Sequence, residues 1–371
     1  MGDDAVAREG VVAGELVRSA DRPSGSEART IGRDRYEVVE GFFKRPKGWT
    51  FVEVADVSVD ADDNVYVFNR GRHPVMIFDR DGNFLDAWGE IGGDHYFTFP
   101  HGLTVGPDGA VYTADSRDHS IRKFTRDGRP LLTIGSPHQN APPFSGRPFN
   151  RPTHAAVASN GDIYVSDGYG NAQIHVFDSA GNHRFSWGSS GHEPGQFNTV
   201  HSVFIDHDDG DRVYAADRYN NRVQFFAPDG EYIGEWGGLR LPQSIRKGPD
   251  GEWVVAELSN RVSVLGRDGA LLARWGDGVI TDDAAIGGVE LALPDAPSRN
   301  PMVRGKVPND PGPGLFCAPH GIAIDSAGSF YVAESSESWI GLDRGDRSIQ
   351  KFVRTASPAP GGGGGNGVET G

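Results

Sequence analysis

Residues 152–188 read PTHAAVASNGDIYVSDGYGNAQIHVFDSAGNHRFSWG, and this stretch decides the fold. It begins with a short apolar strand, turns at Asn160 and Gly161, and continues with the β-rich run IYVSD. A polar loop, a third strand, a turn at Ala180 and Gly181, and a fourth strand ending in Trp-Gly complete the unit. An Asn-Gly pair between two such runs is a strong hairpin signal, because both turn residues must tolerate positive φ. The stretch therefore predicts a four-stranded antiparallel meander.

The same order of elements recurs along the 371 residues, giving six copies. The other copies begin at these residues: Val54, Pro100, Val200, Pro242 and Pro319. Tryptophans recur at one position of the fourth strand, where we expect them to pack between neighbouring copies: Trp88, Trp187, Trp236 and Trp275. A lone meander cannot bury both faces, so six of them are expected to stack radially around a central axis. We predict an all-β fold, a six-bladed β-propeller with four-stranded antiparallel blades.

The ring needs an element to close it, because the sixth copy ends after its third strand, at about Arg354. The run RYEVVEGF at 35–42 has strand character, and we expect it to supply the missing outer strand of the sixth blade. Residues 34–354 then form a single propeller. A poorly ordered lead-in (1–33) precedes it, and a disordered Gly-rich tail (355–371) follows it.

An insertion at about 277–317 separates the fifth copy from the sixth and is rich in Pro, Gly and Asp. Long insertions in compact domains are often lids or binding loops. The same composition is typical of an irregular, disordered excursion. The sequence leaves both interpretations open.

Composition and charge exclude several classes of function. The formal net charge of −15 argues against a nucleic-acid partner, because such proteins normally present a basic surface to the phosphates. No run of about 18 apolar residues is present, so no membrane span is expected. The N-terminus has acids where a signal peptide has basic residues, and the single cysteine, Cys317, excludes an internal disulfide framework. We therefore predict a cytoplasmic protein with no nucleic-acid or membrane partner.

Three histidines occupy one repeat position in alternate copies. Alignment of the copies places these residues at the entrance of the innermost strand: Ala55, His101, Thr153, His201, Gln243 and His320. Alternate blades of a six-bladed ring lie about 120° apart, so three imidazoles from one level would converge on the axis. Three nitrogen ligands with open positions are the usual form of a catalytic zinc site, and they also suit iron, copper, cobalt or manganese. We predict that His101, His201 and His320 bind a divalent metal, and zinc is the first candidate. The alternative is that each histidine only caps a strand.

A second ring of polar residues is expected where the second strand of each blade ends. It consists of Asn69, Asp115, Asp167, Asp217, Glu257 and Glu334, and we interpret most of these side chains as acceptors for loop amides. Arg70 and Arg218 follow this position in the first and fourth blades, and Tyr169 lies two residues after it in the third. Beside a metal, two arginines neutralise an anionic substrate and a tyrosine transfers a proton. We predict Tyr169, Arg70 and Arg218 as catalytic residues that act on a small-molecule substrate.

The pieces SDGYGN (166–171), VHS (200–202) and ADRYNNR (216–222) resemble the catalytic domain of peptidyl-α-hydroxyglycine α-amidating lyase, a member of the NHL-repeat propellers. The resemblance covers roughly residues 50–354, and these pieces are more specific than the general NHL pattern. It implies the following site: zinc on His101, His201 and His320, with Tyr169, Arg70 and Arg218 around it.

The chain departs from that family at two positions. Gly321 stands where the family has an aspartate directly after its third ligand histidine, and Gly170 stands where it has a disulfide cysteine. We expect no counterpart of the family's copper monooxygenase domain. We therefore expect a small molecule rather than a peptide hormone as the substrate.

The hypothesis from the sequence is a metal-dependent lyase that cleaves a C–N bond of an α-hydroxy amide-like small molecule in the central channel. The missing acid after His320 makes a metal-dependent hydrolase of lactones, esters or amides an alternative. A second alternative is a non-enzymatic NHL scaffold that binds protein or RNA on its rim, and the acidic charge disfavours RNA.

Overall fold

A computed structural model of the chain describes residues 29–31, 34–90, 92–93, 96–276 and 310–356. These residues form six antiparallel sheets, one for each predicted repeat. The innermost strands of consecutive sheets contact one another all the way around the ring, from the first sheet through the sixth and back to the first. The predicted six-bladed β-propeller is therefore confirmed. In this described part of the chain, no helix combines the length and the apolar character that a membrane span needs.

Each blade is a meander whose strands follow one another from the channel outward. Two strands near the N-terminus, β1 (Arg29–Ile31) and β2 (Asp34–Val39), belong to the last blade. Blade 1 consists of β3 (Val54–Val59), β4 (Val65–Asn69), β5 (Val75–Phe78) and β6 (Phe84–Trp88). Blade 2 consists of β7 (Pro100–Val105), β8 (Val111–Asp115), β9 (Ser120–Phe124) and β10 (Pro130–Gly135). Blade 3 consists of β11 (His154–Val157), β12 (Ile163–Asp167), β13 (Gln173–Phe177) and β14 (His183–Trp187).

The other three blades repeat this order. Blade 4 consists of β15 (Val200–Asp206), β16 (Arg212–Asp217), β17 (Arg222–Phe226) and β18 (Tyr232–Trp236). Blade 5 consists of β19 (Pro242–Lys247), β20 (Trp253–Glu257), β21 (Arg261–Leu265) and β22 (Leu271–Trp275). Blade 6 consists of β23 (Pro319–Ile324), β24 (Phe330–Glu334) and β25 (Ile349–Ala356), followed by β2 and β1. The described helical segments are the α-helix α1 (Ser336–Ile340) and three short 3₁₀ turns, His207–Asp209, Arg218–Asn220 and Gly345–Ser348.

The N-terminal strand closes the ring as the sequence predicts. β2 pairs antiparallel with β25 along its whole length, with Tyr36 opposite Arg354. A fifth strand, β1, pairs with β2 at the outer edge, although the sequence analysis placed residues 29–31 in the lead-in. The rest of the lead-in and the tail beyond 356 lie outside the described residues.

Part of the predicted insertion packs on blade 6. Asp310 accepts hydrogen bonds from Arg344 and Arg347, and the backbone amide of Gly314 donates to Gln350. Its preceding stretch, 277–309, lies outside the described residues, so neither interpretation of the insertion is tested.

Apolar side chains fill the spaces between neighbouring blades. Ile174 of blade 3 and Phe226 of blade 4 belong to one such buried cluster, and Val65 of blade 1 and Tyr331 of blade 6 belong to another. Removal of this surface from water is the main force that holds the ring together.

The recurring tryptophans pack between blades as predicted. Trp88 of blade 1 lies against the outer turn of blade 2, where a Cβ atom on Gly128 would come within 2.5 Å of the indole. Gly128 also has φ +82°, so two independent constraints demand glycine at this turn. Trp187 and Trp236 meet Gly230 and Gly269 of the next blade in the same way.

Candidate metal centre

Each of the three predicted ligand histidines is the extra residue of a β-bulge at the start of an inner strand. In β7, the pairing with β8 passes from Pro100 directly to Gly102, which leaves His101 without an opposite residue. The same shift occurs around His201 in β15 and around His320 in β23. A bulge bends the strand and re-aims the side chain of the extra residue. The bulge explains how an inner strand turns a long side chain towards the channel axis.

The three imidazoles meet at this axis. Their ring centroids lie 4.7, 4.8 and 4.9 Å apart, and one nitrogen of each lies within 4.8 Å of the others. His101, His201 and His320 are 1, 2 and 6% exposed. The structure thus brings together the three residues that the register of the repeats singled out. We call this group the upper level of the channel.

The blades that carry no histidine at this repeat position orient the histidines of the other blades. Nδ1 of His101, His201 and His320 lies 2.7, 3.0 and 2.6 Å from the backbone carbonyl oxygens of Thr153, Gln243 and Ala55. These three residues occupy the same repeat position in blades 3, 5 and 1. A carbonyl only accepts, so Nδ1 carries the hydrogen and Nε2 of each neutral ring keeps its lone pair. A ligand histidine held by a carbonyl at its second nitrogen is the usual arrangement of metal sites.

The surroundings keep the imidazoles neutral. Burial lowers the pKa of His101 and of His201 well below the ordinary value, and the charge of His320 lowers both further. Burial, followed by the positive charge of Arg70, lowers the pKa of His320 to about 3. Neutral imidazole is the form that binds a metal. Three converging lone pairs in a buried pocket therefore fit a divalent cation.

Tyr169 reaches into the same point from blade 3. Its hydroxyl lies 2.8 Å from Nε2 of His101 and 3.1 Å from Nε2 of His201. The single hydrogen of this hydroxyl can be donated to only one of the two Nε2 atoms at a time, so the hydroxyl leaves the lone pair of the other Nε2 without a donor. The phenol therefore lies beside the Nε2 atoms of two of the three histidines.

The two predicted arginines flank the upper level in different ways. Arg218 is 3% exposed, and its guanidinium lies 5.2 Å from the centre of the Tyr169 ring and 3.5 Å from the Tyr169 hydroxyl. Arg70 donates from Nη1 to Glu53 at 2.7 Å and from Nε to the carbonyl of Pro100 at 2.9 Å. Both arginines lower the pKa of His101, which places their charges near the histidines.

The polar ring at the ends of the second strands is structural, as predicted. Asn69 accepts from the amide of Val52 at 3.1 Å, and Glu334 accepts from the amide of Cys317 at 2.6 Å. The other four residues likewise accept from the amides of the loop that leads into their own blade: Asp115, Asp167, Asp217 and Glu257.

Sequence reasoning missed four residues at the mouth of the site. The guanidinium of Arg151 lies 4.9 Å from the centre of the Tyr169 ring, and Arg117 lies over Phe99 at 4.3 Å. Glu53 holds Arg70, as described above. Glu53, Phe99 and Arg151 all lie two residues before the repeat position of the histidines, so the alignment of the copies carried this signal.

Gly321, which follows the third histidine, lies against an acid from another blade. A Cβ atom on Gly321 would lie 2.3 Å from Oδ1 and 2.7 Å from Cα of Asp56 in blade 1. Asp56 accepts from the amide of Leu103 at 2.9 Å and lies 3.3 Å from His154. Gly321 thus makes room for Asp56 of blade 1. The expectation that Gly321 removes an acid from the site stays a prediction.

Asp56 belongs to a second polar layer below the histidines. Nε2 of His154 in blade 3 lies 3.3 Å from Asp56, 3.3 Å from Arg246 of blade 5 and 3.2 Å from the hydroxyl of Thr104. We call Asp56, His154 and Arg246 the lower level of the channel. A cavity of about 1330 Å³ is lined by His154, Arg246 and Thr104 but by no histidine of the upper level. The lower level thus lies between this cavity and the candidate metal centre.

Comparison with known proteins agrees with the repeat pattern. Residues 97–124 and 149–177 match the NHL repeat. Human NHL repeat-containing protein 3 is 30% identical over 248 residues, which make up 62% of this chain and 69% of the human protein. The chain belongs to the NHL-repeat family.

This NHL-repeat protein is also similar to an enzyme. Peptidyl-alpha-hydroxyglycine alpha-amidating lyase 1 of Drosophila melanogaster is 38% identical over 144 residues, which make up 36% of this chain and 26% of the lyase. The solved structure of a streptogramin B lyase superposes on this chain with a TM-score of 0.53 at 14% sequence identity. The superposition covers 90% of this chain and 100% of the lyase chain. That structural likeness shows a shared fold.

Proposed function

We propose that this NHL-repeat protein is a metal-dependent lyase, with zinc as the metal, that cleaves a C–N bond of an α-hydroxy amide-like small molecule. The observation that carries the proposal is the position of the Tyr169 hydroxyl, within 2.8 and 3.1 Å of two of three converging Nε2 atoms. The similarity to an amidating lyase supports the same reaction class.

The proposed reaction needs no oxidant and consumes no water. The chemistry that a divalent metal supplies at three imidazoles is Lewis acidity, which lowers the pKa of a substrate hydroxyl. Tyr169, as the phenolate or through a water molecule, takes the hydroxyl proton, the C–O bond becomes a carbonyl, and the C–N bond breaks. The electron pair of that bond leaves on nitrogen, to which the proton is returned. An α-hydroxy amide thus gives a primary amide and an aldehyde or keto compound.

The flanking residues are proposed to hold the substrate. Arg218, 3.5 Å from the Tyr169 hydroxyl, and Arg70, beside Glu53, bind the polar ends of the molecule. Burial of this whole group removes competing water, which strengthens each of these contacts.

The test is product identification with zinc-loaded protein and a racemic N-acyl-α-hydroxyglycine. A primary amide and an aldehyde acid as products, detected by NMR, support the lyase. A carboxylic acid and an amine, or turnover of a lactone or ester panel alone, would replace it with the hydrolase. Protein that binds no divalent metal would leave the non-enzymatic NHL scaffold.

A further inference from the structure

The two flanking arginines, which the sequence treats as equivalent, have different electrostatic surroundings. Arg70 forms an ion pair with Glu53 at 2.7 Å, and the two side chains are 8 and 4% exposed. The pair as a whole carries no net charge, so Glu53 offsets much of the positive charge that Arg70 presents to an anion, and the remaining field of its guanidinium acts on His101 and His320.

Helix α1 holds this pair in place. The amide of Ser338 donates to one oxygen of Glu53 at 3.1 Å, and its hydroxyl donates to the other at 2.6 Å. Nη1 of Arg70 also donates to the Ser338 hydroxyl at 3.0 Å. Trp339 of the same helix packs in an apolar cluster with Leu241, which anchors the helix on blade 5. Ser338 of blade 6 therefore holds the carboxylate of Glu53, and this carboxylate in turn holds Arg70 of blade 1.

Arg218 has no such counter-charge. Its Nη2 donates to the Tyr219 hydroxyl at 2.9 Å, its Nη1 lies 3.5 Å from the Tyr169 hydroxyl, and its Nε has no partner. No carboxylate forms an ion pair with it among the residues that the structure describes. A buried guanidinium with only neutral partners attracts an anion strongly, because its charge is uncompensated in a medium of low dielectric constant.

We propose that Glu53 determines the charge specificity of the site: it offsets the charge of Arg70 and positions it as a donor to a neutral oxygen, so that Arg218 alone receives an anionic group. This assignment rests on the proposed small-molecule site at the upper level. It assigns Glu53 as a positioning residue and gives the two arginines separate tasks.

The first test measures binding of benzoate to metal-loaded protein by calorimetry at low ionic strength. Glu53→Gln removes the negative charge and keeps the shape, so benzoate should bind about tenfold more tightly. Arg218→Gln should weaken binding about tenfold or more. The double variant Glu53→Gln/Arg70→Gln keeps the net charge of the pair and should bind benzoate close to the wild-type affinity.

A matched control is Glu235→Gln, which breaks the pair with Arg222 on the outside of blade 4 and should leave benzoate affinity unchanged. Unaltered or weaker benzoate binding by Glu53→Gln would overturn the proposal. So would a loss of affinity in the double variant as large as that of Arg218→Gln. Metal content and melting temperature of each variant confirm that the site is intact.

Turnover separates this inference from the proposed function. If the lyase reaction occurs, Glu53→Gln should lower kcat for an uncharged α-hydroxy amide, and Glu53→Asp should restore part of it. The expected order of benzoate affinities without lyase activity would remove the proposed function and keep the charge assignment. Lyase activity with the wrong order of affinities would do the reverse.

Discussion

The upper and lower levels of the channel are built from opposite sets of blades and have opposite chemistry. The upper level takes His101, His201 and His320 from blades 2, 4 and 6, and the lower level takes Asp56, His154 and Arg246 from blades 1, 3 and 5. In the lower level the carboxylate of Asp56 and the guanidinium of Arg246 both lie 3.3 Å from Nε2 of His154. In the upper level three imidazoles present acceptors and no donor except Tyr169. The difference is that three Nε2 atoms converge in the upper level, whereas opposite charges meet at one imidazole in the lower level.

Replacement of one histidine at each level gives the largest expected difference. His201→Ala should reduce the metal content from about one per chain to near zero and abolish turnover, because two imidazoles bind a divalent cation weakly. His154→Gln is the matched variant of the lower level and should keep the metal. Elemental analysis of both purified proteins provides the measurement. Equal loss of metal from both, with both folded, would contradict the separation of the two levels.

Tyr169 connects the upper level to the proposed reaction. Tyr169→Phe should keep the metal, because the three Nε2 atoms remain, and should lower kcat about 10²- to 10⁴-fold through loss of the proton-transfer group. Tyr164→Phe in β12 is the control, since its hydroxyl donates to the carbonyl of Pro228 rather than to a histidine of the upper level. Full turnover by Tyr169→Phe would exclude Tyr169 as the base.

The contact between Gly321 and Asp56 joins the two levels and makes a stability prediction. Gly321→Ala should lower the free energy of unfolding by about 1–3 kcal/mol, because the new methyl group would meet the backbone and carboxylate of Asp56. Gly237→Ala is the control, since a Cβ atom there meets nothing within 4 Å. Denaturant titration of both variants measures the effect. Equal stability of the two would show that Asp56 is free to move away.

Acid should destabilise the metal-free protein through the upper level. The folded-state pKa values of its histidines are lowered, so the unfolded chain binds more protons below about pH 6.5, and stability falls as the pH falls. Each histidine contributes a slope approaching about 1.4 kcal/mol per pH unit, and for His320 this continues towards its folded pKa of about 3. Denaturant titrations between pH 7 and 5 should show the loss, and a variant without the three histidines should show a shallower one. An unchanged slope would mean that the imidazoles are charged in the folded protein.

Repetition is the reason that so much could be predicted from sequence. Six copies of one meander, with β2 as the closing strand, fixed the number of blades and the register of the inner strands. That register placed His101, His201 and His320 at one level without knowledge of any distance. The repeat register also placed Tyr169, which lies two residues after the second strand of blade 3, at the end of the channel that holds the three histidines.

Contacts between blades could not be predicted from the repeats, because the sequence of one repeat does not show which side chains of the neighbouring blades it contacts. Asp56 fills the space beside Gly321 from the next blade, and Ser338 reaches Glu53 across 285 positions of the chain. Backbone strain at the mouth was equally hidden. Thr199 and Leu241 adopt φ of +65° and +52°, which non-glycine residues rarely do. Their carbonyls accept from the amides of Arg218 and Leu258, and these bonds offset the strain.

By itself, the sequence determined the architecture and the candidate metal ligands. Turn residues, strand alternation and repeat register are local properties, and each of the six copies shows them independently. Only the tertiary structure decided which charges are offset. Arg70 and Arg218 stand after equivalent strands, yet one meets Glu53 and the other meets only tyrosine hydroxyls. The electrostatics of a buried group depend on every neighbour within a few ångströms, and in a propeller most of those neighbours come from other blades.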